Sequence, residues 1–143
     1  MTVSQLSVFV ENNPGILYEI TKALGSAGVD IRAMSIADTM DFGIMRLIVN
    51  DIEAAKDALK KEGYVFSETP VIATAIFDHP GALTDMMKLL CDNGINIEYM
   101  YAFVTISKQH AYAVLRVEEP DRAAQILKDN NIRLLTKTEI ENL

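Results

Sequence analysis

"FVENNPGILYEITKALGSAGVDI", residues 9–31, decides how this chain folds, because "IFDHPGALTDMMKLLCDNGINI", residues 76–97, repeats it. Both stretches place Pro-Gly between an apolar, strand-like run and apolar residues at helical spacing. Sliding the sequence by 66 positions pairs Pro14 with Pro80, Gly15 with Gly81, Leu24 with Leu90, Gly28 with Gly94 and Ile31 with Ile97. Further on the offset becomes 68, pairing Leu47 with Leu115, Val49 with Val117 and Leu59 with Leu127, so two residues have been inserted within a hairpin. The chain is a duplication, and each copy is an independent statement of one element plan. Residues 1–68 and 69–143 are expected to form the two domains.

In the first copy, Leu6, Val8 and Val10 alternate with Gln5, Ser7 and Phe9, the period of a half-buried strand. Asn13 then precedes Pro14, which predicts an Asx-capped helix with proline at its first position. Leu17, Ile20, Leu24 and Ala27 follow at helical spacing, and Gly28 closes the helix. Residues 29–37 extend, "DTMDFG" turns, and "IMRLIVN" is a third strand. A second helix over about 52–62 turns Ala55, Ala58 and Leu59 inward and hands over to a strand at "YVFSE". The second copy predicts strands at "VIATAIF", 95 to about 106, "HAYAVLRV" and "IRLLTKTE", with helices from 80 to about 93 and after Pro120.

Each copy is therefore strand-helix-strand-strand-helix-strand. The fold class is α+β: two ferredoxin-like βαββαβ domains, each an antiparallel sheet with its helices on one face. Only "SETP" separates them, too short for a flexible tether.

Composition bounds the function. Half of the 143 residues are apolar, and no run of about 18 uncharged apolar residues occurs, so a soluble, cytoplasmic protein with no membrane association is expected. The N-terminus runs into strand-like alternation with no leader pattern. The net charge of −7 is spread evenly, ten acids and six bases in 1–68 against ten and seven in 69–143, which disfavours a phosphate backbone as partner. The single cysteine, Cys91, permits no internal disulfide or cysteine metal cluster, and its helical context predicts packing. No nucleophile with His and carboxylate partners, metal-ligand cluster or phosphate loop is present, so no catalytic residue, metal or cofactor is expected.

This architecture hosts many functions, so the site must decide. Copper carriage needs paired cysteines in the first loop, and there are none. RNA binding needs stacking aromatics on a basic sheet, whereas the first strands offer Ser7 and Phe9 or Ala73 and Ala75. Acyl-phosphate hydrolysis needs a cationic cradle, whereas the loops carry Asn12, Asn13, Asp78 and His79. What fits is a strand ending in Asn or Asp, then Pro-Gly, then a helix start: free backbone N–H groups suit a small carboxylate, and a neighbouring amide or carboxylate suits an ammonium.

With Asn12-Asn13-Pro14-Gly15 and Gly28-Val29-Asp30-Ile31, and again Asp78-His79-Pro80-Gly81 and Gly94-Ile95-Asn96-Ile97, the whole chain resembles a tandem pair of ACT domains, a family of amino-acid-sensing regulatory modules. The resemblance implies a ligand held at an interface between ACT domains by the first loop and the residue opening the second strand. Its candidates are Asn12, Asn13, Gly15, Ile16, Leu17 and Asp30 in one copy, and Asp78, His79, Gly81, Ala82, Leu83 and Asn96 in the other. It implies a free-standing regulatory protein that binds a free amino acid, forms a homo-oligomer such as a dimer, and acts on a metabolic enzyme. Two alternatives stand beside this: a regulatory subunit resembling the acetolactate synthase small subunit, and a structural dimerisation module without ligand.

Purely structural readings of the same residues remain open. Pro14, Gly15 and Asn13 also serve a helix start, His79 also fits a solvated loop, and the alternating Tyr99, Tyr101 and Phe103 also fit sheet-face packing. Valine at Gly15 or Gly81 is expected to cost only the modest penalty of an early helix position.

Overall fold

The computed structural model describes residues 1–38, 42–105 and 107–143. The elements run β1 (Val3–Glu11), α1 (Ile16–Ser26), β2 (Ile31–Asp38), β3 (Phe42–Val49), α2 (Ile52–Lys61), β4 (Val65–Phe77), α3 (Ala82–Asp92), β5 (Ile97–Ala102), β6 (His110–Val117), α4 (Pro120–Asp129), β7 (Arg133–Leu134) and α5 (Lys137–Glu141). They fall into an N-terminal unit, Ser4–Thr69 with Ile140–Leu143, and a C-terminal unit, Met1–Val3 with Pro70–Glu139.

In the N-terminal unit the strand order is β2-β3-β1-β4. The antiparallel register sets Leu6 opposite Leu47 and Val8 opposite Met45, so the alternating apolar residues of β1 and β3 share one face. Onto that face pack Ile20 and Leu24 of α1 and Ala55 and Leu59 of α2. Asp51 starts α2 as a side-chain cap, its Oδ1 accepting from Ala54 N at 3.0 Å. The opposite face of β1 is less exposed than its alternation predicts. Gln5 and Ser7 are buried and bonded to each other, Gln5 Nε2 donating to Ser7 Oγ at 3.1 Å, as a buried amide and hydroxyl must be. The end of the chain is tied to β2 by Arg32, which donates to Ile140 O and Glu141 O.

The C-terminal unit orders its strands β5-β6-β4-β7. Ile72, Met86, Leu90, Leu115, Val117, Ala123 and Leu127 form its core. The strand expected at "HAYAVLRV" is β6 over the same residues, and Pro120 opens α4 as its first residue.

Five expectations change. The strand at "YVFSE", the linker and "VIATAIF" are one 13-residue strand, β4, which accommodates Pro70; the Pro70 carbonyl is satisfied by Arg116 Nη1 at 2.9 Å. The strand expected at 132–139 is only the two-residue β7, because "TKTE" starts a helix instead. Thr136 and Glu139 bond reciprocally, Glu139 N to Thr136 Oγ1 at 3.2 Å and Thr136 N to Glu139 Oε2 at 2.8 Å, a capping box. Strand β5 ends at Ala102, short of 106, which lies outside the described residues, as do 39–41 of the "DTMDFG" turn. Cys91 is exposed, since α3 turns Met86 and Leu90 inward and the next residue lies about 100° round the helix. Finally, α1 and α3 begin one residue after the glycine, at Ile16 and Ala82, with no side-chain cap.

The capping box makes acid stability testable. The Thr136 backbone bond and then Arg133 hold Glu139 below the usual carboxylate range, and the Lys56 ammonium does the same to Glu68. A depressed folded value means that both contribute stability above about pH 4.3, the unfolded range, and lose it as pH falls through their folded values. Urea melts from pH 7 down to pH 3 should therefore show falling stability, with a shallower fall in Glu139→Gln. Thr136→Ala should cost about 1 kcal/mol at pH 7.

Candidate functional site

The two Pro-Gly loops have one backbone geometry. After β1, Asn13 N donates to Glu11 O at 2.9 Å and Ile16 N to Asn13 O at 3.3 Å. After β4, His79 N donates to Phe77 O at 3.0 Å and Ala82 N to His79 O at 3.2 Å. Gly15 sits at φ 87°, ψ −7° and Gly81 at φ 91°, ψ −14°. With proline before the glycine, these are type II turns, whose third residue needs φ near +80°. The glycine carbonyls then accept the first helical bonds, from Glu19 N and Asp85 N, both at 3.0 Å. Pro-Gly is thus the turn that ends one element and starts the next, leaving the N–H groups of the first helical turn pointing out of the loop.

Freed from capping, Asn13 donates from Nδ2 to Glu11 Oε2 at 3.1 Å. His79 Nδ1 lies 3.0 Å from Pro80 O, a carbonyl that can only accept, so the ring is used locally. Beside it Phe77 stacks on His110, ring centroids 5.1 Å apart.

The first loop lines an open pocket of 470 Å³, bordered among the described residues by Val10, Glu11, Asn12, Asn13, Pro14, Gly15, Ile16, Leu17, Tyr18, Ile36 and Gly43. The candidates Asn12, Asn13, Gly15, Ile16 and Leu17 come together here. Asp30 does not join them. It stands before the first residue of β2, while Ile36 is six residues along, about 20 Å at strand spacing. There Asp30 is engaged structurally: Arg32 Nη1 bonds its Oδ2 at 2.7 Å, and its backbone exchanges bonds with Asn50. Asn96, exposed before β5, is likewise at the far end of its strand from Asp78, His79, Gly81, Ala82 and Leu83. The aromatics Tyr99 and Tyr101 stack at 6.4 Å and Phe103 meets Tyr112 edge-on at 5.8 Å, which is packing along the sheet.

Sequence reasoning missed Val10, Glu11, Tyr18, Ile36 and Gly43 as lining residues. Glu11 was within reach, being the last residue of the strand before Asn12. Ile36 and Gly43 enter only through the register of the β2–β3 hairpin. A larger hollow of 950 Å³ runs between α1 and α2, rimmed by Glu19, Lys22, Asp57, Lys61 and Glu62. It is an interhelical groove rimmed by charges of both signs, whereas the loop pocket, among the described residues, combines apolar Val10, Ile16, Leu17 and Ile36 with one carboxylate, Glu11. Among the described residues no group of three His, Cys, Asp or Glu could hold a metal, and no helix is long and apolar enough to cross a membrane.

The family model described as an ACT domain pair matches residues 1–143. A solved protein from Bacteroides thetaiotaomicron is 34% identical with a TM-score of 0.92, the match covering 100% of this chain and 98% of that one. The ligand-free regulatory subunit of aspartate kinase from Thermus thermophilus shares the fold at 17% identity and TM-score 0.67, over 90% of this chain and 92% of that one. The corresponding subunit from Thermus flavus does so at 17% and 0.60, over 88% and 90%. No curated protein matches significantly.

Backbone conformation, not crowding, demands glycine in both turns: a Cβ on Gly15 or Gly81 meets nothing within 4 Å, yet both lie at positive φ. The modest cost expected for a substitution there is therefore too low. Gly15→Ala and Gly81→Ala should each destabilise by about 1–2 kcal/mol. Gly25, inside α1 with equally open space and ordinary φ, is the control: Gly25→Ala should stabilise by about 0.5–1 kcal/mol. Paired urea melts measure both.

Proposed function

Since the chain belongs to the ACT domain pair family, we propose that it is a free-standing, non-catalytic regulatory protein that binds a free amino acid and relays its level to a metabolic enzyme. The observation that carries the reading is the coincidence of the 470 Å³ pocket with the Pro-Gly loop of the N-terminal unit. An α-amino acid needs a site for a carboxylate and, a few ångströms away, one for an ammonium. The start of α1 offers N–H groups and the positive end of a helix dipole, an interaction worth about 0.3–1 kcal/mol for an exposed anion. Glu11 and the amide oxygens of Asn12 and Asn13 offer acceptors for the ammonium. The pocket holds both kinds of group within one rim, and its volume suits a molecule of this size.

Relay to an enzyme requires a surface that changes partners or shape when the ligand binds. Among the described residues β2 and β5 end the strand order, each bonded to one neighbour, β3 and β6, and such an edge invites another strand. Self-association through such an edge gives a dimer whose pockets are shared or covered by the second copy. Light scattering should accordingly return about twice the 15.9 kDa chain mass, and a strict monomer at all ligand concentrations would argue against this mode. Docking onto a catalytic subunit is the variant in which the relay is permanent; affinity capture on the purified chain with and without ligand separates the two.

A thermal-shift screen against the twenty amino acids tests the sensing itself. A ligand at about 100 times its dissociation constant adds about 2.7 kcal/mol of stability, a shift easily read. One amino acid or one chemical class should raise the midpoint, and Asn12→Ala should reduce that rise without lowering the unliganded midpoint, because Asn12 is exposed. A flat screen would leave the purely structural module as the surviving reading.

A further inference from the structure

The groove of 950 Å³ between α1 and α2 carries its charges in a definite order. The two helices are antiparallel neighbours, because each runs back along the strand before it and β1 and β3 are antiparallel. The Tyr64 hydroxyl, just past the end of α2, donates to the Glu19 carboxylate, so the start of α1 is level with the end of α2. Glu19 thus stands at the level of Lys61, and one turn along each helix Lys22 stands at the level of Asp57. All four are exposed.

Turning a second copy about a two-fold axis along the groove lays its α1 on this α2 at the same level. Glu19 then meets the partner's Lys61 and Lys22 meets the partner's Asp57, and symmetry makes each pairing twice. The Lys22 ammonium lies 5.8 Å from the centre of the Tyr18 ring, a contact that it can keep beside a carboxylate. Glu62, the remaining rim charge, caps α2 at the end of the groove and is exposed. Between the charged rows stand Ala23, Ala27, Ala54 and Ala58, with nothing beyond Cβ to hold a second pair of helices away.

The duplicated copy supplies the comparison. Where the N-terminal unit has Glu19 and Lys61, the C-terminal unit has Asp85 and Asp129, and Gln125 stands in place of Asp57. The same two-fold would there set acid against acid and leave Lys88 without its acid. Those side chains are spent along their own helices, Lys88 Nζ on Asp92 Oδ2 at 2.6 Å and Gln125 Nε2 on Asp129 Oδ1 at 2.7 Å. Lys60 and Lys128 occupy matching positions and do not distinguish the two faces. The four alanines become Leu89, Asn93, Arg122 and Ile126. Leu89 and Ile126 pack on their own core, and Arg122 Nη2 donates to Asn93 O at 2.8 Å, tying α4 to the end of α3.

We infer that the α1–α2 face of the N-terminal unit is a docking surface for the same face of a second copy. It is separate from the strand edges and stands whether or not the loop pocket takes an amino acid, although Tyr18 lines both hollows and places the second copy beside that loop. Two helices of about 16 Å make a small face, so the association is weak and reversible.

Sedimentation equilibrium of the full chain at rising concentration is the test. The wild type should show a concentration-dependent association step that weakens with added salt, because the charge pairs lie at an exposed rim. Lys22→Glu and Asp57→Lys each set like charges together twice and should weaken that step about ten-fold. The double variant exchanges the signs and should return it to within about three-fold of the wild type. Lys88→Glu, the matching change in the C-terminal unit, should leave it unaltered. All three positions are exposed on helices, so circular dichroism should show a native fold in every variant. A step indifferent to both single changes, which is what association through the strand edges alone would give, would overturn the inference. So would a double variant no tighter than the singles, an equal loss in Lys88→Glu, or a chain monomeric at every concentration.

Discussion

A left-handed glycine after a proline is the constraint on which each unit depends. Gly15 at φ 87° and Gly81 at φ 91° reverse the chain between the end of a central strand and the start of a helix. Only a residue without Cβ holds that conformation at little cost. The turn decides where the helix axis begins and therefore which of its residues meet the sheet. Ile20 and Leu24 reach Leu6, Val8 and Met45 because α1 starts at Ile16; Met86 and Leu90 do the same from Ala82. The turn also spares the helix a side-chain cap, which leaves the first N–H groups and the flanking polar side chains available to something other than the fold.

That division lets one loop be structural and still leave polar groups facing a pocket. Had Asn13 capped α1, its amide would be spent on the helix. Instead it braces Glu11, so a carboxylate and an amide stand side by side at the rim of the pocket. Asp30 carries the opposite lesson. It occupies the strand-opening position that the family resemblance singled out, yet its carboxylate is engaged by Arg32, which in turn reaches the backbone of Ile140 and Glu141. Within the N-terminal unit Asp30 belongs to the fastening of the chain end, at the opposite end of β2 from the pocket.

What the sequence made legible follows the range of the physics involved. The helical spacing of Ala55, Ala58 and Leu59, Pro120 ahead of a helix and the strand-like run "HAYAVLRV" are local signals, and the elements lie where those signals put them. The duplication doubled the weight of each. Where the reading fell short, two local codes overlapped or the deciding partner was distant. Pro-Gly before a helical pattern encodes a helix start and a type II turn alike, and the apolar pattern alone does not choose. "IRLLTKTE" stands where the element plan puts a strand, but Thr136 and Glu139 at capping-box spacing outbid that plan once each bonds the other's backbone N–H. The pocket lay beyond local reasoning for a different reason: Gly43 faces Val10 only through β1–β3 pairing across 33 residues, and Ile36 joins them only through the register of the β2–β3 hairpin.

The two copies began from one plan, and they part at the end of the central strand pair. In the C-terminal unit Phe77 stacks on His110 and Ile76 pairs with Ala111, where the N-terminal unit pairs Glu11 with Phe42 and Val10 with Gly43. Phe77 stays 64% exposed and Ile76 and Ala111 are half-buried, so this pair of rings lies over the strand end without closing a core. In the N-terminal unit the same positions are a carboxylate and a buried glycine, and the missing side chain lets Val10 come so near that a Cβ would stand 3.3 Å from its Cγ2, at the cost of added chain entropy on folding. One duplicate thus meets the same strand pair by close approach of Val10 to a bare backbone and the other by a ring stack at the strand end, and the left-handed turn that the copies share fixes neither choice, because strand register and turn conformation are separate constraints on the chain.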